Sequence, residues 1–181
     1  MTQYVSILRG INVSGQKMIV MGELKSLYEG EGLIGVFTYI QSGNVVFESE
    51  ISDPLLLQTQ LESAIEKQYG FQVPVQVLPL WELNDILEAV PFEGVTVEVD
   101  GAQVLISFLS EAPGSGAMAV LEGARAESES VVIKGRAVYL HCPNGYGKTK
   151  LSNVFLEKKL GLIATTRNLK TVAALVNLAD S

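Results

Sequence analysis

The order in which apolar periodicity changes along this chain constrains its fold more than any other feature. Apolar residues that alternate with polar ones predict half-buried strands, and apolar residues at i, i+4, i+7 and i+8 predict amphipathic helices. In the first half, strands are predicted at residues 4–8, 36–40, 45–47 and 73–77, and helices at residues 20–28 and 54–69. The resulting order is strand, helix, strand, strand, helix, strand.

Capping and turn residues support these boundaries. Asp53 is a favourable N-cap for the second helix, and Gly70 ends its apolar stripe. The Ser42-Gly43 pair separates two alternating stretches, which predicts a hairpin. Pro74 lacks a backbone N–H and is tolerated only in an edge strand, so the fourth strand is predicted at an edge of the sheet.

The second half of the chain shows the same order of patterns, although the two halves share no obvious residue-by-residue identity. Its strands are predicted at residues 104–108, 131–133, 137–140 and 163–165, and its helices at residues 113–124, 151–160 and 169–176. The repeat therefore lies in the order of elements and not in a sequence period.

A unit of this order closes as a four-stranded antiparallel sheet with both helices on one face, because each β-α-β crossover prefers the right-handed route. We therefore predict an α+β protein made of two tandem ferredoxin-like (α-β plait) subdomains. The first comprises residues 1–79 and the second, with a C-terminal helix, residues 101–181. Residues 80–100 are predicted to connect them.

Composition excludes several classes of protein. With 48% hydrophobic and 18% charged residues, the chain lies in the ordinary globular range, and no segment approaches the roughly 20 apolar residues of a membrane span. The N-terminus does not resemble a signal peptide, so a cytoplasmic location is expected. The single cysteine, Cys142, and the single histidine, His141, exclude a disulfide framework and a thiolate-imidazole metal cluster within one chain.

Charge is distributed unevenly. Residues 1–124 carry 4 basic and 16 acidic side chains, a net charge of −12, whereas residues 125–181 carry 9 basic and 4 acidic ones, a net charge of +5. Phosphate groups favour clustered Lys and Arg. The basic C-terminal third is therefore predicted to bind a nucleotide or nucleic acid, unless it only complements the acidic part of the same molecule.

A glycine-containing loop follows the first strand and carries Arg9, Asn12 and Lys17. Glycine allows close approach to the backbone, and the Arg9 guanidinium matches phosphate or carboxylate geometry. The loop lacks the G-x-G-x-x-G spacing of dinucleotide-binding folds, and an ordinary β-α loop is the alternative interpretation. Ser42 and Asn44 stand in the hairpin turn, which by itself explains their presence.

Residues 145–149, with the sequence GYGKT, precede the predicted helix at residues 151–160. A P-loop requires glycine at position 142, where Cys142 stands, so a nucleoside-triphosphatase is not supported. Two glycines that lead into a helix N-terminus, next to Lys148 and Lys150, nevertheless favour an anion. The alternative is that Thr149 only caps the helix.

The segment before the last predicted helix contains Thr166, Arg167 and Asn168. Thr166 or Asn168 is suited to cap that helix. Arg167 at a helix start opposes the helix dipole, so it requires another partner, either an internal carboxylate or an external anion.

Three blocks, LRGINVSGQKMIVMGEL, TYIQSGNVVF and GYGKTKLSNVFLEKKLGLIATTRNLKTV, resemble the bacterial family known as domain of unknown function 1697. The resemblance covers nearly the whole chain. It implies a pair of plait-like α/β subdomains and no established activity.

Three functions remain open. The protein binds a phosphate-bearing ligand, a nucleotide or a nucleic acid, at loops between the two subdomains; or it is a small enzyme for an anionic metabolite; or it is a structural or interaction protein. No cofactor, metal or membrane partner is expected, and the oligomeric state is left open. The candidate ligand-binding residues are polar or aromatic side chains in or beside the glycine-bearing loops: Arg9, Asn12, Lys17, Ser42, Asn44, Tyr146, Lys148, Lys150, Arg167 and Asn168.

Overall fold

The computed structural model describes residues 1–180, and the predicted α+β class is confirmed. The strands are β1 (Thr2–Leu8), β2 (Ile34–Tyr39), β3 (Asn44–Ser49), β4 (Val75–Pro79), β5 (Val104–Leu109), β6 (Ser130–Lys134), β7 (Ala137–His141) and β8 (Ala164–Asn168). The helices are α1 (Met21–Gly30), α2 (Pro54–Tyr69), α3 (Leu80–Glu88), α4 (Val97–Asp100), α5 (Ala117–Ala124), α6 (Asn153–Leu160) and α7 (Leu169–Ala179). No helix within residues 1–180 is long and apolar enough to cross a membrane.

The chain forms two compact units. The first contains residues 1–85 together with the C-terminal stretch from Leu175, and the second contains residues 86–174. Helices α3 and α4 occupy most of residues 80–100, the segment predicted as a connector.

The sheet of the first unit has the strand order β2-β3-β1-β4, and all its neighbouring strands are antiparallel. This is the ferredoxin-like arrangement. Strand β4 lies at an edge, as Pro74 predicted, and Pro74 stands immediately before its first residue. The register pairs Leu8 of β1 with Val75 of β4.

Helices α1 and α2 cover one face of the sheet in the first unit. Tyr4 and Phe47 stack with their ring centroids 5.7 Å apart, and Tyr28 of α1 meets Phe47 edge-on at 5.6 Å. Helix α2 contributes a buried stripe at i, i+4 and i+8. Asp53 caps this helix by accepting from Leu55 N at 2.9 Å, so the predicted N-cap is confirmed.

The sheet of the second unit has the equivalent order, β6-β7-β5-β8, and is also antiparallel. Its helix-facing core includes Leu105, Leu121, Val138, Leu140 and Leu156. The opposite face contacts the start of this unit. Tyr139 donates to the Ile86 carbonyl at 2.7 Å, and the rings of Phe92 and His141 lie 5.7 Å apart.

Two helices begin two or more residues after the predicted start. Helix α5 begins at Ala117 instead of residue 113, because the intervening Pro-Gly-Ser-Gly sequence favours loop over helix. Helix α6 begins at Asn153 instead of residue 151. Ser152 caps it by accepting from Phe155 N at 3.2 Å, whereas Thr149 accepts from Leu151 N. The interpretation of Thr149 as the helix cap is therefore wrong.

Candidate functional site

The predicted site residues of the first unit lie together at the carboxyl end of β1. Two backbone hydrogen bonds, each 2.9 Å long, bring three segments to this end: Leu8 N donates to Gly43 O, and Arg9 N donates to Pro74 O. The loop after β1, the β2–β3 turn and the start of β4 consequently form one polar cluster.

Asn12 holds this cluster together. Its amide Nδ2 donates to the carbonyls of Ile19, at 3.0 Å, and Gln41, at 2.8 Å. Its Oδ1 accepts from Ile19 N at 2.8 Å. Both donors and the carbonyl of this side chain are therefore used within the protein. Asn12 closes its own loop and joins that loop to the neighbouring turn.

The other polar side chains of this cluster also contact the protein. Asn44 is fully buried and donates to Tyr39 O at 2.9 Å and to Ser42 Oγ at 3.0 Å. The Lys17 ammonium donates to the carbonyl of Gln72 at 2.6 Å. These polar side chains thus stabilise the loops that carry them.

The backbone of the same cluster is strained. Asn12, Ser14, Lys17 and Ile40 adopt positive φ, between 48° and 54°. For Ile40 this is costly, because a β-branched side chain crowds the left-handed region. Gly43 has a φ of 88°, and a Cβ there would lie 2.7 Å from Ile11 Cδ1, so glycine is required.

The predicted site residues of the second unit lie near the amino end of β5, the strand that corresponds to β1. His141 of β7 and Asn168 of β8 flank the start of β5, because they pair with Val104 and Leu105. The carboxyl ends of β7 and β8 therefore lie at the same end of the sheet. A 3₁₀ turn, Tyr146–Lys148, follows β7 at this end.

Lys148 and Lys150 differ from the residues of the first cluster in their surroundings. Both side chains are exposed. Neither ammonium group makes a hydrogen bond or ion pair with any residue between 1 and 180. Tyr146, by contrast, is half-buried and packs on the core of this unit. Two cationic groups beside the start of α6 are thus available to an external anion.

The structure adds Asn153 to these residues. Thr166 Oγ1 donates to Asn153 Oδ1 at 2.6 Å, and it receives the hydroxyl proton of Ser107 at 2.6 Å. The amide oxygen therefore points towards the sheet, and Nδ2, which meets no acceptor within residues 1–180, remains a donor. Asn153 was not predicted from the sequence, because an Asn beside Ser152 at a helix start is explained by capping alone.

Arg167 and Asn168 do not belong to the exposed set. Arg167 lies in β8, so the prediction that it starts a helix is wrong. Its guanidinium is buried, and Nη1 donates to Thr166 O at 3.0 Å. Asn168 Oδ1 accepts from Thr171 N at 2.9 Å, which confirms Asn168 as a cap of α7.

The Cys142 thiol is a poor candidate for a nucleophile. Cys142 is buried, and burial together with the nearby Glu129 raises the pKa of its thiol to about 11. The thiol is therefore protonated at neutral pH and a poor nucleophile. Residues 1–180 contain no group of three His, Cys, Asp or Glu side chains placed to hold a metal ion.

Comparisons with known proteins give a family and a fold. The model of a family described as protein of unknown function (DUF1697) matches residues 1–139. The solved structure of a conserved bacterial protein from Streptococcus pneumoniae is similar, with a TM-score of 0.73, 26% sequence identity and 98% of each chain covered. A search of curated proteins finds no match.

Proposed function

The chain belongs to the DUF1697 family of proteins of unknown function, and we propose that it binds a phosphate-bearing ligand beside the start of α6. The observation that carries this proposal is the exposed pair Lys148 and Lys150, whose ammonium groups meet no protein partner within residues 1–180. A phosphate group would supply the missing counter-charge. Nucleotides and nucleic-acid segments are the ligand classes with this chemistry.

Neutral donors near the two lysines favour the same ligand. The backbone N–H groups of Asn153 and Val154 precede the first intrahelical hydrogen bonds of α6, and the helix dipole adds partial positive charge there. The Asn153 amide presents its NH₂ group because its oxygen is held by Thr166. Charged and neutral donors together match the several acceptor oxygens of a phosphate.

The first unit is a weaker choice for the ligand. The amide groups of Asn12 and Asn44 already donate hydrogen bonds to backbone carbonyls and to Ser42, and Lys17 donates to Gln72 O. A ligand that used these groups would have to break existing hydrogen bonds. Lys148 and Lys150 would lose only contacts with water.

Thermal unfolding in the presence of inorganic phosphate, ADP and a sugar phosphate tests the proposal. A ligand at about 100 times its dissociation constant is expected to stabilise the fold by roughly 2.7 kcal/mol. The double variant Lys148→Gln/Lys150→Gln should keep the melting temperature of the free protein and lose most of this stabilisation. The matched control, Lys25→Gln/Lys67→Gln, removes two exposed lysines of the first unit. Equal ligand-induced shifts in both double variants would overturn the proposal.

We also infer that the two units arose by tandem duplication and that the protein acts in the cytoplasm. Duplication is supported by the shared strand order and by matching registers, in which Leu8 pairs with Val75 and Leu109 pairs with Ala164. A reducing compartment suits a chain whose one cysteine is a buried thiol. Cell fractionation would test the location.

A further inference from the structure

We infer that the ligand of the second unit is a single-stranded nucleic acid that runs along the exposed face of α6, from Lys148 and Lys150 to Lys158 and Lys159. This inference rests on the proposed function and narrows it. A nucleotide needs only the two lysines before the helix. A strand needs further cations at the other end of the helix.

The charge of this part of the chain supports a polyanion. Residues 130–174 contain eight basic side chains and one acidic side chain, Glu157, within a protein whose net charge is −7. The Glu157 carboxylate accepts from Ala164 N at 3.1 Å, so it serves the join between α6 and β8. Such an excess of basic over acidic side chains is typical of a surface that binds phosphates.

The lysines at the end of α6 are exposed. Lys158 makes no hydrogen bond or ion pair with residues 1–180, and the ammonium of Lys159 contacts only the ring of Phe155, 6.0 Å from its centroid. With eight residues, α6 is about 12 Å long, at about 1.5 Å per residue. One strand of a stacked duplex would place three or four nucleotides on that length, at about 3.4 Å each, and an unstacked, more extended strand places fewer.

Apolar side chains stand between the two pairs of lysines in the sequence. Val154 is 67% exposed, and Phe155 is half-buried beside it. Duplex DNA hides its bases inside the helix and would leave these side chains facing phosphates. A single strand presents unstacked bases, which pack on apolar and aromatic surfaces while the phosphates meet the cations. The combination therefore favours a single strand over a duplex.

Fluorescence anisotropy with a labelled 12-nucleotide single strand, as DNA and as RNA, tests the inference between 50 and 200 mM salt. Four phosphate contacts predict a slope of log K against log salt of about −2.8, at about −0.7 for each contact. The variant Lys158→Gln/Lys159→Gln should reduce the slope to about −1.4 and leave ADP binding unchanged. The Lys25→Gln/Lys67→Gln control should keep the slope of the natural chain.

The possible failures are distinguishable. The slope could stay unchanged in Lys158→Gln/Lys159→Gln while ADP binding still depends on Lys148 and Lys150. This result would overturn the inference of single-strand binding and leave the proposed phosphate site intact. Equal or tighter binding of a 12-base-pair duplex would also overturn it. If neither ADP nor the oligonucleotide binds, the proposed function itself is overturned.

Discussion

Ser107 and Thr166 share a hydroxyl-to-hydroxyl hydrogen bond of 2.6 Å between the neighbouring strands β5 and β8. Thr166 also donates to Asn153 at 2.6 Å, so its hydroxyl is used twice. Its neighbour Thr165 points to the opposite face of the same strand, because successive side chains alternate. The buried Thr165 hydroxyl has no hydrogen-bond partner within residues 1–180.

This contrast predicts opposite effects of one substitution at adjacent positions. Thr166→Val should lower the free energy of unfolding by about 1–2 kcal/mol, because it removes two hydrogen bonds and leaves Ser107 and Asn153 unsatisfied. Thr165→Val replaces an unpaired buried hydroxyl by a methyl group and should be neutral or stabilising. Urea unfolding measures both values. Similar losses in the two variants would contradict the assigned hydrogen bonds.

The β2–β3 turn predicts a second pair with opposite signs. Ile40→Gly should stabilise the fold by about 1 kcal/mol, because glycine adopts the positive φ of 50° without steric cost. Gly43→Ala should destabilise it by about 1–3 kcal/mol, since the added Cβ meets Ile11 and the φ of 88° disfavours alanine. Thermal unfolding of both variants is the measurement. A destabilising Ile40→Gly would show that the exposed isoleucine is held by packing and not strained.

Asn12 is expected to contribute more to stability than other polar residues of its loop. Asn12→Ala removes three hydrogen bonds and should cost about 2–3 kcal/mol, with faster amide exchange at Ile19. Ser14→Ala changes an exposed residue with nearly the same φ and serves as the control. If the two variants lose the same stability, the backbone conformation matters and the amide does not.

Stability is expected to fall in alkali, partly because of Tyr139. Burial raises the pKa of its phenol to about 12, above the ordinary value of about 10. Between these two pH values the folded protein keeps a proton that the unfolded chain loses. The contribution of the protonated Tyr139 phenol to the free energy of unfolding is therefore complete below about pH 10 and is lost as the pH rises towards 12.

Tyr139→Phe isolates this effect. The variant loses the hydrogen bond to Ile86 O and should be about 1 kcal/mol less stable at pH 8. Its disadvantage should shrink above pH 10, by up to about 1.4 kcal/mol per pH unit. Urea unfolding of both proteins from pH 8 to 12 measures the difference. A difference that stays constant with pH would show that the phenol ionises as readily in the folded state as in the unfolded one.

Apolar periodicity was sufficient to predict the fold. The change from a period of 2 to a period near 3.6 identifies strands and helices, and the right-handed crossover rule then leaves the observed strand order. Helix boundaries were less certain. Asp53 was predicted as a cap because only it precedes a proline and an apolar stripe, whereas Thr149 and Ser152 compete within four residues of α6.

The residues of the candidate site were only partly predictable. Sequence identified the glycine-bearing loops and their cationic side chains, but the same reasoning gave Asn12 and Lys148 equal standing. In the structure, Asn12 is bound to backbone groups of its own unit, and the Lys148 ammonium meets solvent. Asn153 was not predicted, because its role depends on Thr166, which is 13 residues away in the chain.

The sequence by itself determined the class of fold, the strand order within each unit and the uneven distribution of charge, because these follow from local periodicity and from residue counts. Only the tertiary structure decided which polar side chains are satisfied within the protein. Hydrogen-bond partners such as Asn12 and Gln41, or Ser107 and Thr166, are separated by 29 and 59 residues. Periodicity shows which face a side chain occupies, but the group that it meets there depends on how distant segments pack.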